Sequence, residues 1–403
     1  MKSERVSQRI LFITEQKYDW VTDHVFHGLR ALGHEVIDFP PKPTYHLAPE
    51  KIDPVWHHNF PIKASLPVSK MPFRELRKAV ENGYFDLILV DAKSFRLTPR
   101  PISNLIRHFK SRFRYNGERL GWRHLKRFSR PSGTVVAAID GVDEGHLDAS
   151  RARLLPFVDY YFKRELPPDP VDMARHLPAE WQEVVRTSQT KFHPIPIGIN
   201  LTKFRESFTP EGKREYDVAC MMDPRNHSLR TRAMEILREM TGEVRCRLHQ
   251  GGGLDGKGVS RPDYFRALSA SKLAVSIDGL GWDCIRHYEI PAAGAVLLVT
   301  EPTIRTHGFF RDNESCLFLK RDLSDLSLQI TNLLRNTGRM EAIRNSARRH
   351  LENHLTHTAI AGYVLETCNN SRSGAPARSV GRQPAIKAAI KPPCRRTQEF
   401  ETT

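Results

Sequence analysis

The chain has 403 residues, 39% hydrophobic and 27% charged, which suits two or three domains that each bury a core and excludes a fibrous or wholly disordered protein. A formal net charge of +16 predicts anionic partners such as nucleotide diphosphates, acidic glycans, lipid head groups or nucleic acid, without choosing among them. The six cysteines (Cys220, Cys246, Cys284, Cys316, Cys368, Cys394) all lie in the second half and none forms a C-x-x-C pair, so neither a zinc site nor a disulfide framework is expected.

The first residues, MKSERVSQRILFITEQK, run straight into a strand and lack the apolar stretch of a secretory signal. No uninterrupted apolar run reaches about eighteen residues. A cytoplasmic protein is expected, with peripheral contact to an acidic membrane allowed. Arg9 to Thr14 is a buried strand, Val21 to Leu32 is a helix with Val21, Val25, Leu29 and Leu32 on one face, and Val36 to Phe39 is a second strand. This βαβ start predicts a doubly wound domain whose ligand edge carries the loop from Glu15 to Trp20. A proline-rich passage from Pro40 to Pro72 precedes a helix from Phe73 to Asn82 and a strand at Asp86 to Asp91.

From Arg107 to Arg130 nine Lys or Arg face one acid, Glu118, with Phe109, Phe113, Tyr115, Trp122 and Phe128 interleaved. That mixture suits an acidic lipid surface, a charged glycan or nucleic acid, and equally a solvated helix pair with its aromatics turned inward. A strand at Thr134 to Ile139 ends in Asp140-Gly141-Val142-Asp143-Glu144-Gly145. Carboxylates after a strand end are placed for general-base work, so Asp140 and Asp143 are the catalytic candidates, or else they satisfy a turn. Val158 to Lys163 is a further strand, after which Arg164 and Glu165 are assigned to structure or the interdomain edge. His193 to Asn200 leads toward the second half.

Tyr216 to Met222 is a strand, followed by a loop and a helix from Leu229 to Met240 in which Arg225, Arg230 and Arg232 cluster. Guanidinium groups at a helix start suit a dianion. A strand from Glu243 to His249 runs into Gln250-Gly251-Gly252-Gly253, and a short helix spans Tyr264 to Ala270. Then comes SASKLAVSIDGLGWDCIRHYEIPAAGAVLLVT, residues 269–300. It is strand, glycine loop, helix, glycine stop and strand, with Asp283 placed to cap the helix and Gly294 to end it. Gly279 and Gly281 permit close approach of the backbone to a ligand, Arg286 and His287 suit a phosphate, and Glu289 suits paired sugar hydroxyls. A strand at Cys316 to Leu319 and helices at Leu323 to Leu334 and Met340 to His354 complete the folded part. Residues 370–403 are rich in Arg, Lys, Pro and Ser at a charge of roughly +5 and are expected to be disordered.

The run Arg286-His287-Tyr288-Glu289-Ile290-Pro291-Ala292-Ala293-Gly294, then the apolar strand, resembles the signature of GT-B glycosyltransferases, and within them the CgeB-like bacterial group. The resemblance continues through Asn313-Glu314-Ser315-Cys316, Asp325-Leu326 and His357-Thr358, covering about residues 216–365. In that family these segments form a loop, a helix start and a C-terminal crossing helix. The resemblance implies an α/β fold of two Rossmann-like domains with parallel sheets facing a cleft. The acceptor-side domain would be 1–200, the donor domain 201–369 and the basic tail 370–403.

It also implies sugar transfer from a nucleotide-sugar donor to an acceptor hydroxyl on a glycan, protein or lipid, with nucleic acid the less favoured partner. The chain has no D-x-D motif, so no metal and no cofactor are expected. Arg225, Arg230, Gly279, Gly281, Arg286, His287, Glu289 and Gly294 would serve the donor. Many retaining relatives carry a second Glu eight positions before the equivalent of Glu289, where this chain has Gly281, so the stereochemical outcome stays open. The alternative is a GT-B-like protein without catalysis that holds a polyanionic glycan or nucleic acid through residues 107–130.

Overall fold

The computed structural model describes residues 7–14, 19–39, 41–42, 71–95, 133–201, 214–224, 227–250 and 259–370. The basic-aromatic segment 107–130, the glycine run 251–253, Arg225, most of the proline-rich passage and the tail beyond 370 lie outside the described residues.

The first lobe is built on β1 (Arg9–Ile13), α1 (Trp20–Ala31), β2 (Glu35–Phe39), α2 (Phe73–Glu81), β3 (Leu87–Asp91), β4 (Val135–Asp140), α3 (Ala149–Ala152), β5 (Tyr160–Lys163), α4 (Ala179–Thr187) and β6 (Phe192–Pro194). Its sheet is ordered β2-β1-β3-β4-β5-β6 with every pairing parallel. A parallel strand covered on both faces must be apolar throughout, which is why LILVD and VVAAI do not alternate. The second lobe follows with β7 (Tyr216–Met222), α5 (Ser228–Glu239), β8 (Cys246–Gln250), α6 (Arg261–Ser269), β9 (Ser271–Ser276), α7 (Arg286–Ala292), β10 (Val296–Thr300), β11 (Leu317–Leu319), α8 (Leu326–Arg335) and α9 (Thr337–His354). Its order is β11-β10-β9-β7-β8, again all parallel. Two doubly wound parallel sheets are therefore present, as the resemblance implied.

The last helix, α10 (His357–Asn370), crosses back to the first lobe and lies against α1. The crossing is close. A Cβ added at Gly28 would overlap the His357 carbonyl oxygen and stand 2.7 Å from Ala361 Cβ. Backbone bonds between Ile199 and Leu355 (2.9 Å) and between His357 and Ile199 (3.0 Å) fix the return. Asp325 stands at the start of α8 and His357 begins the crossing helix, as the resemblance implied. Several boundaries differ from expectation: the helices expected from Tyr264, Leu323 and Met340 start at Arg261, Leu326 and Thr337, and three further differences have a local cause. The eighth strand starts at Cys246 because Val244 still donates to the Met240 carbonyl at the close of α5. The fifth starts at Tyr160 because Leu155 to Phe157 forms a 3-10 turn. Asp283 does not cap α7, whose first residue is preceded by Ile285 with no side-chain cap. Among the described residues no helix is long and apolar enough to cross a membrane.

Candidate active site

In a doubly wound sheet the ligand crevice opens at the carboxyl ends of the strands, where the strand order reverses. In the second lobe that point lies between β7 and β9, so the loops that follow these two strands flank it. Arg230, in the first turn of α5, is 4% exposed. Its guanidinium donates to three backbone carbonyls, of Asp278 (2.7 Å), Asp223 (3.2 Å) and Ile277 (3.2 Å), and so ties the two loops together. Arg286 opens α7 and donates to the Met221 carbonyl at 3.0 Å. Among the described residues neither arginine is ion-paired to a carboxylate. Burial lowers the Arg230 pKa, and the nearby Arg286 charge lowers it further. Burial lowers the Arg286 pKa, but Cys284, Tyr264 and Glu289 nearby more than offset this and it is raised; an anion between the two cations would relieve their mutual repulsion further.

Gly279 touches this arrangement directly, since a Cβ there would lie 3.1 Å from Arg230 Nη2. Glu289 is 2% exposed and accepts from the Tyr264 hydroxyl at 2.8 Å. His287 is wholly buried, with Nδ1 on the Ser276 hydroxyl (2.9 Å) and Nε2 on the Trp282 carbonyl (2.8 Å). Burial pushes its pKa down to about 3. It is therefore a neutral brace under the loop, and both ring nitrogens are used before any phosphate arrives. Gly294 is brought to the opposite edge of the sheet. Its φ of 80° ends α7, and its carbonyl accepts from Arg214 at 2.9 Å. The physical reason is directional: a helix that starts at the carboxyl edge must end at the amino edge, where β10 begins.

The first lobe contributes the seam. Asp140, at the end of β4, is wholly buried. It accepts from the Tyr161 hydroxyl (2.9 Å) and Arg151 (3.2 Å), and lies 3.6 Å from Lys163. Its pKa is lowered, since Lys163, Arg151, the Tyr161 hydroxyl and the Val142 N–H together overcome the large opposing effect of burial. A carboxylate with no exposed face and all its partners internal cannot meet an acceptor, so Asp140 is corrected from base to organiser of the loop behind it. Asp143 keeps 46% of its side chain exposed and is paired with Arg164.

Glu165 is 3% exposed and receives the N–H groups of Trp282 (3.0 Å) and Asp283 (2.9 Å) from the opposite lobe. Asp283, read from sequence as a helix cap, instead accepts from the Ile197 N–H at 2.9 Å and from the Tyr288 hydroxyl.

A second charged group was not singled out from the sequence. At the first lobe's own reversal point, between β1 and β3, Asp19 is paired with Lys93. The Asp91 carboxylate accepts from the Lys93 backbone N–H at 2.9 Å. Burial, then the Asp19 charge, push Asp91 up to about 8. Asp19 also meets the Asp140 loop, because a Cβ on Gly141 would lie 2.5 Å from its Oδ1. The signal was available, since D-A-K directly follows a buried strand at the ligand edge.

Residues 226–366 match the family model described as Glycosyl transferase-like. No curated protein matches the chain. Among solved structures, a glycosyltransferase from Rickettsia africae ESF-5 is similar at 11% identity over 92% of this chain and 100% of its own, with a TM-score of 0.49. Sucrose-phosphate synthase from Thermosynechococcus elongatus is similar at 13% identity over 91% of this chain and 99% of its own, TM-score 0.45. The Anabaena protein HepE in complex with UDP-glucose follows at 11%, 90% and 100%, TM-score 0.43. The family match falls on the lobe that holds the two arginines, and the two parallel sheets give the chain a two-lobed α/β architecture.

Proposed function

We propose that the chain moves a sugar from a nucleotide-sugar donor to an acceptor hydroxyl, and that arginines rather than a metal ion hold the leaving diphosphate. The observation that supports this best is the pair Arg230 and Arg286. Both stand at the reversal point of the second sheet, both rest on backbone carbonyls, and neither meets a carboxylate among the described residues. A diphosphate that gains charge as the glycosidic bond breaks is stabilised by such preset donors. In this reading Arg286 and Arg230 take the diphosphate, with Arg225, outside the described residues, as a third donor. Glu289 takes the ribose hydroxyls as a hydrogen-bond acceptor. Asp143, partly exposed on the facing lobe, is the base candidate, and its pairing with Arg164 must open or shift for it to act.

The acceptor is a glycan, protein or lipid hydroxyl. The net charge of +16 suits a cytoplasmic enzyme that works near an acidic surface. The CgeB-like group is the member class that the motif from Arg286 to Gly294 best supports.

Calorimetry and thermal shift with UDP-, GDP- and ADP-sugars test the reading. At least one donor should bind the wild-type chain. Arg286→Ala should weaken that binding about 10- to 100-fold, the worth of one charge-assisted contact. Indifference of the wild-type chain to every nucleotide would overturn the proposal.

A further inference from the structure

The loop that carries Gly279 and leads to Arg286 takes its shape from the opposite lobe. Directly after β5, Glu165 offers both carboxylate oxygens to the N–H groups of Trp282 and Asp283, at 3.0 and 2.9 Å. Its neighbour Arg164 donates to the Asp283 carbonyl and lies 3.5 Å from the Asp283 carboxylate. The other end of the Arg164 fork is paired with Asp143. Asp283 closes the circuit by accepting the Ile197 N–H at 2.9 Å. Space is as restrictive as bonding. A Cβ at Gly281 would overlap the Glu165 carboxylate and stand 2.5 Å from the Asp143 carbonyl oxygen.

Two amides that a loop before a helix could offer to an anion are thus already taken by a protein carboxylate. The consequence is that donor phosphates must be met by side chains, and that the aim of those side chains depends on where Glu165 holds the loop. The same carboxylate is an expensive filler. Burial pushes Glu165 up to about 7; Arg164 and the two N–H groups pull it down, and Asp283 pushes it up. Asp143 and Lys163 stand on the same side of the seam. A space that only needed filling would be served by a neutral side chain.

We propose that Arg164 and Glu165 are positioning residues for sugar transfer: from the acceptor lobe they clamp the glycine loop 278–283 and so register the donor arginines against the acceptor. This rests on the glycosyltransferase reading above. The clamp contacts no donor itself, so its loss should be felt in turnover more than in binding.

Two measurements test it on the full chain. Hydrogen exchange of the peptide around residues 278–285, read without any nucleotide, reports the clamp. Steady-state hydrolysis of whichever UDP-, GDP- or ADP-sugar the wild type binds reports function. Glu165→Gln keeps the shape but has one acceptor oxygen for two N–H groups. It should speed exchange at Trp282 and Asp283 about tenfold or more, and cut kcat about tenfold with KM within about threefold of wild type. Gly281→Ala, which leaves every charge in place, should move both readouts the same way and serves if Glu165→Gln melts early. Wild-type exchange and kcat in both variants would overturn the positioning role alone. A wild-type chain that binds and hydrolyses no nucleotide sugar would overturn the glycosyltransferase reading, and the positioning role with it.

Discussion

A guanidinium that donates to three carbonyls in two loops cannot be replaced by an ammonium, whose donors point from a single atom. Arg230 is such a case, bridging Asp223 on one side to Ile277 and Asp278 on the other. Arg286 makes a single carbonyl contact, to Met221, so the two arginines should respond differently to the same change. Arg230→Lys leaves buried carbonyls unsatisfied and should cost about 2–3 kcal/mol in urea unfolding, together with donor affinity. Arg286→Lys should cost mainly affinity. Equal behaviour of the two variants in unfolding would show that the three-carbonyl fork does not organise the loops. The sequence made both arginines visible as anion ligands through their place after a strand. It could not show that one of them is also a structural tie, because its carbonyl partners are 7, 47 and 48 positions away in the chain.

At the scale of elements, legibility followed the source of each element's stability. Strands that are buried on both faces carry their own signature, and β1, β3, β4, β7, β9 and β10 were all readable as apolar runs. The α7 helix was readable too, but not its start. Asp283 has the right residue type for a cap, and tertiary partners outbid that local preference: Ile197, Arg164 and Tyr288 surround it instead. Asp140 misled for the same reason, since an acidic residue at a strand end looks the same in sequence whether it faces a crevice or a buried Arg151, Tyr161 and Lys163.

The contact between α1 and α10 is a long-range feature that Gly28 marks without announcing. Its helix has a glycine in mid-length, which weakens it locally, and the reason is the close passage of His357 and Ala361. Gly28→Ala should therefore destabilise the chain by about 1–3 kcal/mol or more despite alanine's better helix propensity. A denaturation midpoint raised by the substitution would show that the two helices can part at no cost.

For the molecule as a whole, the buried histidines set how stability depends on pH. His287 is pushed down to about 3, and His24 and His357 to about 4, in each case chiefly by burial. His27, only half-buried, is lowered as well, chiefly by desolvation. All four stay neutral in the fold but take up a proton when unfolded near pH 6.5. Each thus supports the fold above pH 6.5 and withdraws that support as pH falls toward its folded value, at about 1.4 kcal/mol per pH unit. Three buried carboxyls act in the other sense. Asp91, pushed up to about 8, Glu165, pushed up to about 7, and Asp283, raised chiefly by burial, bind a proton more tightly folded than unfolded. Their contribution is greatest at low pH and is lost as pH rises through their folded values.

Between pH 6.5 and 4.5 the histidines therefore withdraw stability while the three carboxyls return part of it, leaving a net loss of stability on acidification. Urea unfolding at stepped pH should show that loss, and a flat or rising profile on acidification would contradict it. Glu165→Gln sharpens the test, because it removes one of the three compensating carboxyls and leaves the histidines untouched. The variant should lose stability on acidification more steeply than wild type, by about 1.4 kcal/mol per pH unit in the same window. An unchanged slope would mean that Glu165 takes up no extra proton in the fold across this window, and that its burial at the seam does not raise its pKa.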